Sequence, residues 1–172
     1  FIANSIEMIR DMGETNRAII CPVSNGGDPT GAIGFTLPKD DPNLIMTFHT
    51  YYHTYFTFHG AQGDYANYDG PIHYPGRFIR DDEIAQLTDY QKQWLDQWVV
   101  IASSDKMELR KEMKVAIDVA NELGVPAFCG EYGCSETCPV PDRINWFRDK
   151  CDLFREYGVS FANWFGFGDY PN

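Results

Sequence analysis

Glu131 closes the apolar run Val125-Pro126-Ala127-Phe128-Cys129-Gly130 and is followed at once by Tyr132-Gly133. A run of that length bounded by glycine reads as a buried strand. A carboxylate where such a strand stops is dehydrated on one side, which is costly unless it is hydrogen-bonded or used. It can attack an electrophile or move a proton, according to its protonation state. The rival reading is a surface glutamate in a strand-to-helix loop. Two other apolar runs end in the same manner. His49 and Tyr51 follow Leu44 to Phe48, and Trp164 ends the run from Val159. Groups gathered past the C-terminal ends of parallel strands are where α/β barrels and open doubly wound sheets do their chemistry.

The elements that must position these groups follow from periodicity. Ile2, Ile6, Ile9 and Met12 recur at helical spacing, and Gly13 can end that helix. Arg17 to Cys21 reads as a short strand. Asn25 to Gly34 holds four glycines but lacks the spacing and the Lys-Ser/Thr end of a phosphate-binding loop, so it reads as an ordinary loop. The connection from Tyr51 to Phe78 is long and rich in Tyr, Gly, Asp and Asn. Loops of that length are usually functional or disordered. Ile84, Leu87, Trp94, Trp98 and Ile101 predict one amphipathic helix, with both tryptophans packed in the core. Asp105 with Glu108 resembles a capping box. The helix it opens points Leu109, Met113, Ala116, Ala120 and Leu123 inward, leaving Glu108, Glu112 and Lys114 in solvent. A last helix from Pro141 to Gly158 would carry Ile144, Phe147, Cys151 and Phe154 on one face. Strands alternating with helices imply parallel βα units, an α/β fold.

Composition narrows the function. The 172 residues carry a net charge of -11, which argues against a nucleic-acid backbone or an anionic membrane as partner. No apolar stretch approaches the roughly 20 residues of a membrane span. Five cysteines leave one odd. Cys21 and Cys129 read as buried thiols. One disulfide among Cys134, Cys138 and Cys151 suits a secreted protein, with the pairing open. The cysteine spacing fits no zinc site, so no metal is expected.

Three blocks, in order, resemble glycoside hydrolase family 5, the cellulase A family. Leu37 to Tyr51, continued by Phe56-Thr57-Phe58-His59-Gly60-Ala61, is similar to the family's sixth strand. Phe128-Cys129-Gly130-Glu131-Tyr132-Gly133 is similar to its seventh. Trp164 and the segment Gly166 to Tyr170 are similar to the eighth strand and its exit loop, which would make Arg17 to Ile20 strand five. The family fold is a (β/α)8 barrel. The resemblance therefore implies that residues 1–172 form the C-terminal half of such a barrel, strands five to eight, beginning in mid-helix.

The resemblance also implies roles. Family members are retaining glycosidases, with two carboxylates roughly 5–5.5 Å apart across the scissile bond. Glu131 matches the nucleophile. Tyr51 matches the tyrosine that donates to it, and His49 a contact to substrate or to the acid/base. Trp164 would stack on sugar, while Tyr132 and His59, the latter where glutamine is common, would add substrate contacts. The acid/base glutamate belongs to strand four, upstream of this chain. Asn121-Glu122 has the right letters but falls in a helix, so an N-terminal half of the barrel is the expected partner, and this chain alone should turn over very slowly. The expected protein is a secreted endo-β-1,4-glycanase, most simply an endoglucanase, that needs no cofactor and acts on β-linked polysaccharide. A mannanase, xyloglucanase or lichenase of the same family is the alternative. A silent half-barrel that binds glycans or self-associates through its open edges is another, as is an open sheet of flavodoxin type.

Overall fold

The computed structural model describes residues 1–61, 67–95 and 102–164. In chain order the elements are α1 (Ile2–Asp11), β1 (Ile19–Pro22), β2 (Leu44–Thr50), α2 (Thr54–Thr57), β3 (Gly76–Arg77), α3 (Asp81–Ile84), α4 (Asp89–Gln93), β4 (Ser103–Ser104), α5 (Lys106–Leu123), β5 (Ala127–Tyr132), α6 (Val140–Tyr157) and β6 (Ser160–Asn163). Four of the strands form one parallel sheet in the order β1-β2-β5-β6. Spatial order follows chain order throughout. A doubly wound sheet reverses at a switch point; this one does not, which removes the flavodoxin-type alternative.

One face of the sheet is covered. Met46, Phe48 and Cys129 are fully buried against Leu109, Met113 and Ala116 of α5 and against Trp146, Leu153 and Phe154 of α6. Each large side chain so buried contributes about 1.5–3 kcal/mol. A smaller cluster joins Ile6 of α1 to Cys21, Leu37 and Leu44. The edge strand β6 is exposed along its whole length.

Helix ends follow sequence logic. Asp105 accepts the Met107 and Glu108 backbone N–H groups, and Gly124 ends α5. The reciprocal half of the expected capping box is not made, because the Glu108 carboxylate accepts from Lys111 instead.

Three expectations are corrected. The pattern from Ile84 onward is not one helix. Thr88 and Gln91 cap each other reciprocally and start α4 afresh after the turn that ends α3. Trp98 and Ile101 lie outside the described residues. The buried face of α6 is Trp146, Lys150, Leu153 and Phe154, while Ile144 is exposed. Glu112 does not face solvent: it accepts the Thr50 hydroxyl at 2.7 Å and pairs with Lys150 at 3.3 Å. The burial of Glu112 and that of Lys150 have one cause. A buried lysine and a buried glutamate satisfy each other between two helices, and apolar periodicity is blind to such a pair.

Candidate active site

The pairing of β2 with β5 is irregular at one place. Phe48 lies opposite Cys129, but His49 lies opposite Glu131, so Gly130 is the extra residue of a bulge. Side chains alternate faces along a strand, and one inserted residue flips that parity. Cys129 points to the helices. By simple alternation Glu131 would follow it there; the bulge turns Glu131 to the open face beside His49. Tyr132 is turned the other way, behind the sheet with Thr50. A methyl group on Gly130 would come within 2.8 Å of the Thr47 hydroxyl and 3.3 Å of His49 Nε2, so the bulge requires a residue without a side chain.

Three of the residues singled out from sequence meet here. The Tyr51 hydroxyl donates to Glu131 Oε2 at 2.9 Å, and His49 Nδ1 lies 3.3 Å from the same oxygen. Glu131 and His49 are each about a quarter exposed, at 26% and 27% of the side chain. Burial and the adjacent Glu131 carboxylate push the Tyr51 phenol well above its ordinary range, so it stays a donor. Both contacts fall on Oε2. Glu131 Oε1 carries no hydrogen bond among the described residues, which leaves one carboxylate oxygen oriented and the other available for attack.

The site opens into a cleft of about 340 Å³ lined by Gly26, Asp28, His49, Tyr51, His53 and Phe58, among others. Phe58 packs on Tyr51 with ring centroids 5.0 Å apart. The glycine-rich segment read as an ordinary loop is therefore a wall of the cleft. Only glycine density marked it in the sequence; Phe58 entered only within the block similar to the sixth strand, and Asp28 and His53 carried no signal of their own. Gly27 shows why glycine is needed. It holds φ at +89°, and a Cβ there would lie 2.7 Å from the His49 ring. We expect Gly27→Ala to cost about 1–3 kcal/mol in a urea melt and to move the His49 ring resonances in an NMR spectrum. An unchanged melt and spectrum would show that the loop does not support His49.

The remaining expected contacts fall elsewhere. Tyr132 is buried, its ring 5.0 Å from Phe154 and 5.4 Å from Phe161, with its hydroxyl 3.9 Å from Cys151 Sγ. His59 is buried too. Its Nε2 meets the Gly70 carbonyl at 3.0 Å, and its ring stands edge-on to Tyr68. Both are packing residues rather than substrate contacts, because the strand parity and the fold of the long loop turn them from the cleft. Trp164 sits at the end of β6 with its backbone N–H on the Tyr132 carbonyl, and the residue is 61% exposed, open to a ligand. The segment Gly166 to Tyr170 and Tyr65 lie outside the described residues. Asn121 and Glu122 are in α5, exposed and near its C-terminal end. Among the described residues, no group of three His, Cys, Asp or Glu is placed to hold a metal, and no helix is long and apolar enough to cross a membrane.

His53 caps α2, its Nδ1 accepting the Tyr55 N–H, and burial pushes its imidazole from 6.5 down to about 4. The folded state therefore resists a proton that the unfolded chain accepts at pH 6.5. Stability should fall as pH drops from about 6.5 towards 4 and level off below. His53→Asn keeps a capping acceptor but cannot titrate. Its melting temperature should fall less than that of the parent across this window, and equal losses would rule out His53 as the cause.

Comparison with known proteins fits this geometry. The family model described as Cellulase (glycosyl hydrolase family 5) matches residues 2–166. Endoglucanase C of Acetivibrio thermocellus is 27% identical over 128 residues, covering 73% of this chain and 36% of the relative. A solved endoglucanase superposes with a TM-score of 0.66 at 24% identity, over 96% of this chain and 46% of its own. The cellulose synthase subunit Z of Clostridioides difficile gives a TM-score of 0.68 at 21% identity, over 97% and 47%. The chain thus spans about a third of the curated relative's length and about half of the solved barrels. Its four-stranded sheet is part of a (β/α)8 barrel, and the protein belongs to the cellulase family, glycosyl hydrolase family 5.

Proposed function

We propose that this chain carries the nucleophilic half of a retaining endo-β-1,4-glucanase. The observation that carries the reading is Glu131 at a strand mouth, with Tyr51 and His49 both on one of its two oxygens. Glu131 Oε1 attacks the anomeric carbon, forming a C–O bond to the enzyme as the glycosidic C–O bond breaks. The departing oxygen takes a proton from a second carboxylic acid. That acid is the strand-four glutamate of the family pattern, supplied by the N-terminal half of the barrel, as a second chain or as further polypeptide. Water then attacks the glycosyl-enzyme and frees Glu131. Throughout, the Tyr51 hydroxyl holds Oε2 and favours the ionised form, and Trp164 offers a ring face to a sugar. The substrate is a β-1,4-glucan, with mannan, xyloglucan and mixed-linkage glucan as variants of the same chemistry. A polymer of this kind cannot enter a cell, so secretion is part of the proposal.

The test is the anomer released first. The complete polypeptide acting on a soluble β-1,4-glucan should give the β-hemiacetal in early proton NMR spectra. The α-anomer would mean inversion and would remove Glu131 as nucleophile. The isolated chain should release reducing ends at most very slowly, because the strand-four acid of the family pattern is not among its residues.

A second reading rests on the open face of the sheet. β6 is exposed throughout, and Ile20 on the opposite edge strand is 52% exposed. Unpaired strand edges recruit other chains. The isolated half should therefore run as a dimer or larger on size exclusion with light scattering; a monodisperse monomer would argue against this reading.

A further inference from the structure

The sequence left three cysteines as disulfide candidates, and the fold separates them. Cys151 lies on α6, half-buried, with its sulfur 3.9 Å from the Tyr132 hydroxyl. Cys134 and Cys138 stand together in the loop that leaves β5, both buried, their sulfurs 3.2 Å apart. Cys129 turns its sulfur to the Glu131 carbonyl at 3.2 Å, and Cys21 belongs to the separate cluster around α1. We propose that Cys134 and Cys138 form a disulfide, a covalent clip on the loop that begins two residues after Glu131.

The surroundings accept that bond. The sulfurs must close by little more than 1 Å to reach bonding distance. Only Ser135, Glu136 and Thr137 lie between the two cysteines, so each thiol is the other's most frequent neighbour in the unfolded chain. Forming the bond removes the S–H that Cys138 donates to the Phe56 carbonyl at 2.8 Å, but that carbonyl still accepts the His59 N–H at 3.2 Å. No buried acceptor is orphaned. The loop is otherwise docked on α2 and its exit: the Ser135 N–H donates to the Thr57 carbonyl at 2.7 Å, and the Thr137 hydroxyl to the His59 carbonyl. The clip would hold this docking, and with it the wall behind Tyr51 and Phe58.

The chemistry needs an oxidant, and a small-molecule disulfide such as oxidised glutathione suffices. One cysteine thiolate attacks it and expels a thiolate. The second cysteine then attacks the mixed disulfide and expels the other, so two protein thiols are oxidised and one small disulfide is reduced to two thiols. Burial pushes the Cys134 thiol up. The folded loop therefore offers little thiolate, and the exchange belongs to the folding chain, before α2 covers the pair. Once closed, the buried bond is shielded from reductants.

The experiment refolds the reduced chain from denaturant in a mixture of oxidised and reduced glutathione, traps free thiols with an alkylating agent, and maps the product by mass spectrometry. Cleavage after Glu131 and Glu136 puts Cys129, Cys134 and Cys138 on separate peptides, and cleavage at Arg143, Arg148 and Lys150 isolates Cys151. We expect the Cys134 and Cys138 peptides joined, lighter by two hydrogens, with Cys21, Cys129 and Cys151 alkylated. The joined form should melt about 4–8 °C above the reduced protein. Alkylation of both Cys134 and Cys138, or linkage of either to another cysteine, would overturn the assignment. A clipped form that melts no higher than the reduced one would overturn the stabilising role. Oxidation of the already folded, reduced protein should be at least tenfold slower than during refolding; an equal rate would overturn the order of events.

Discussion

Glu131→Gln lowers the kcat of the complete barrel by roughly 10⁴-fold or more, the scale of loss when an enzyme's covalent nucleophile is removed. The expected signature is selective. Glutamine keeps the shape of the side chain and its carbonyl oxygen can still accept from Tyr51, whose hydroxyl lies 2.9 Å from Oε2. The melting temperature and the affinity for a non-hydrolysed oligosaccharide should therefore barely move, while reducing-end release disappears. Tyr51→Phe removes only the donor. A hydrogen bond to a charged group is worth about 1.5–3 kcal/mol, so that variant should lose about 10- to 100-fold and no more. The ordering matters as much as the sizes. If Tyr51→Phe matched Glu131→Gln, the tyrosine would be part of the chemistry rather than a support. If Glu131→Gln kept substantial activity, the nucleophile would be another residue.

Lys150→Met should destabilise the fold strongly. Lys150 is fully buried between α5 and α6, donates to the Thr50 hydroxyl, pairs with Glu112 at 3.3 Å and stands 5.4 Å from the centre of the Trp146 ring. Burial pushes the lysine down and the Glu112 carboxyl up, and the attraction between them opposes both shifts. Removing one partner leaves the other ionisable group buried without its counter-charge, which costs about 3–5 kcal/mol. For a chain of this length that corresponds to a fall of roughly 10 °C in melting temperature. The double change Lys150→Met with Glu112→Leu removes both charges and should recover most of the loss, since apolar replacement of a whole buried pair is often neutral. A double variant no more stable than Lys150→Met would show that the cost is packing, not charge. The pair also holds Thr50, which sits between His49 and Tyr51, so it anchors the strand end from behind at the point where the ladder is irregular.

Much of this protein was legible one residue at a time. Local rules governed the four parallel strands, the Asp105 cap and the long helices ending at Gly124 and Gly158, because apolar periodicity and caps depend on near neighbours. The same rules placed Glu131, His49 and Tyr51 at strand mouths, where parallel sheets gather their chemistry. They failed where a long-range partner decided the outcome. Glu112 and Lys150 are far apart in sequence and write no pattern, so periodicity assigns Glu112 to solvent and says nothing of Lys150. The face that Glu131 presents depends on a bulge at Gly130, which exists only because β2 lies beside β5 and leaves no room for a side chain there. That same parity buried Tyr132, and the fold of the long loop buried His59. Gly27 became a support for the His49 ring only when β2 brought His49 against it. The sequence by itself determined the elements, the carboxylate and its two neighbours. Tertiary packing alone decided which way each of them faces, because facing is a relation between strands and cannot be written in either one.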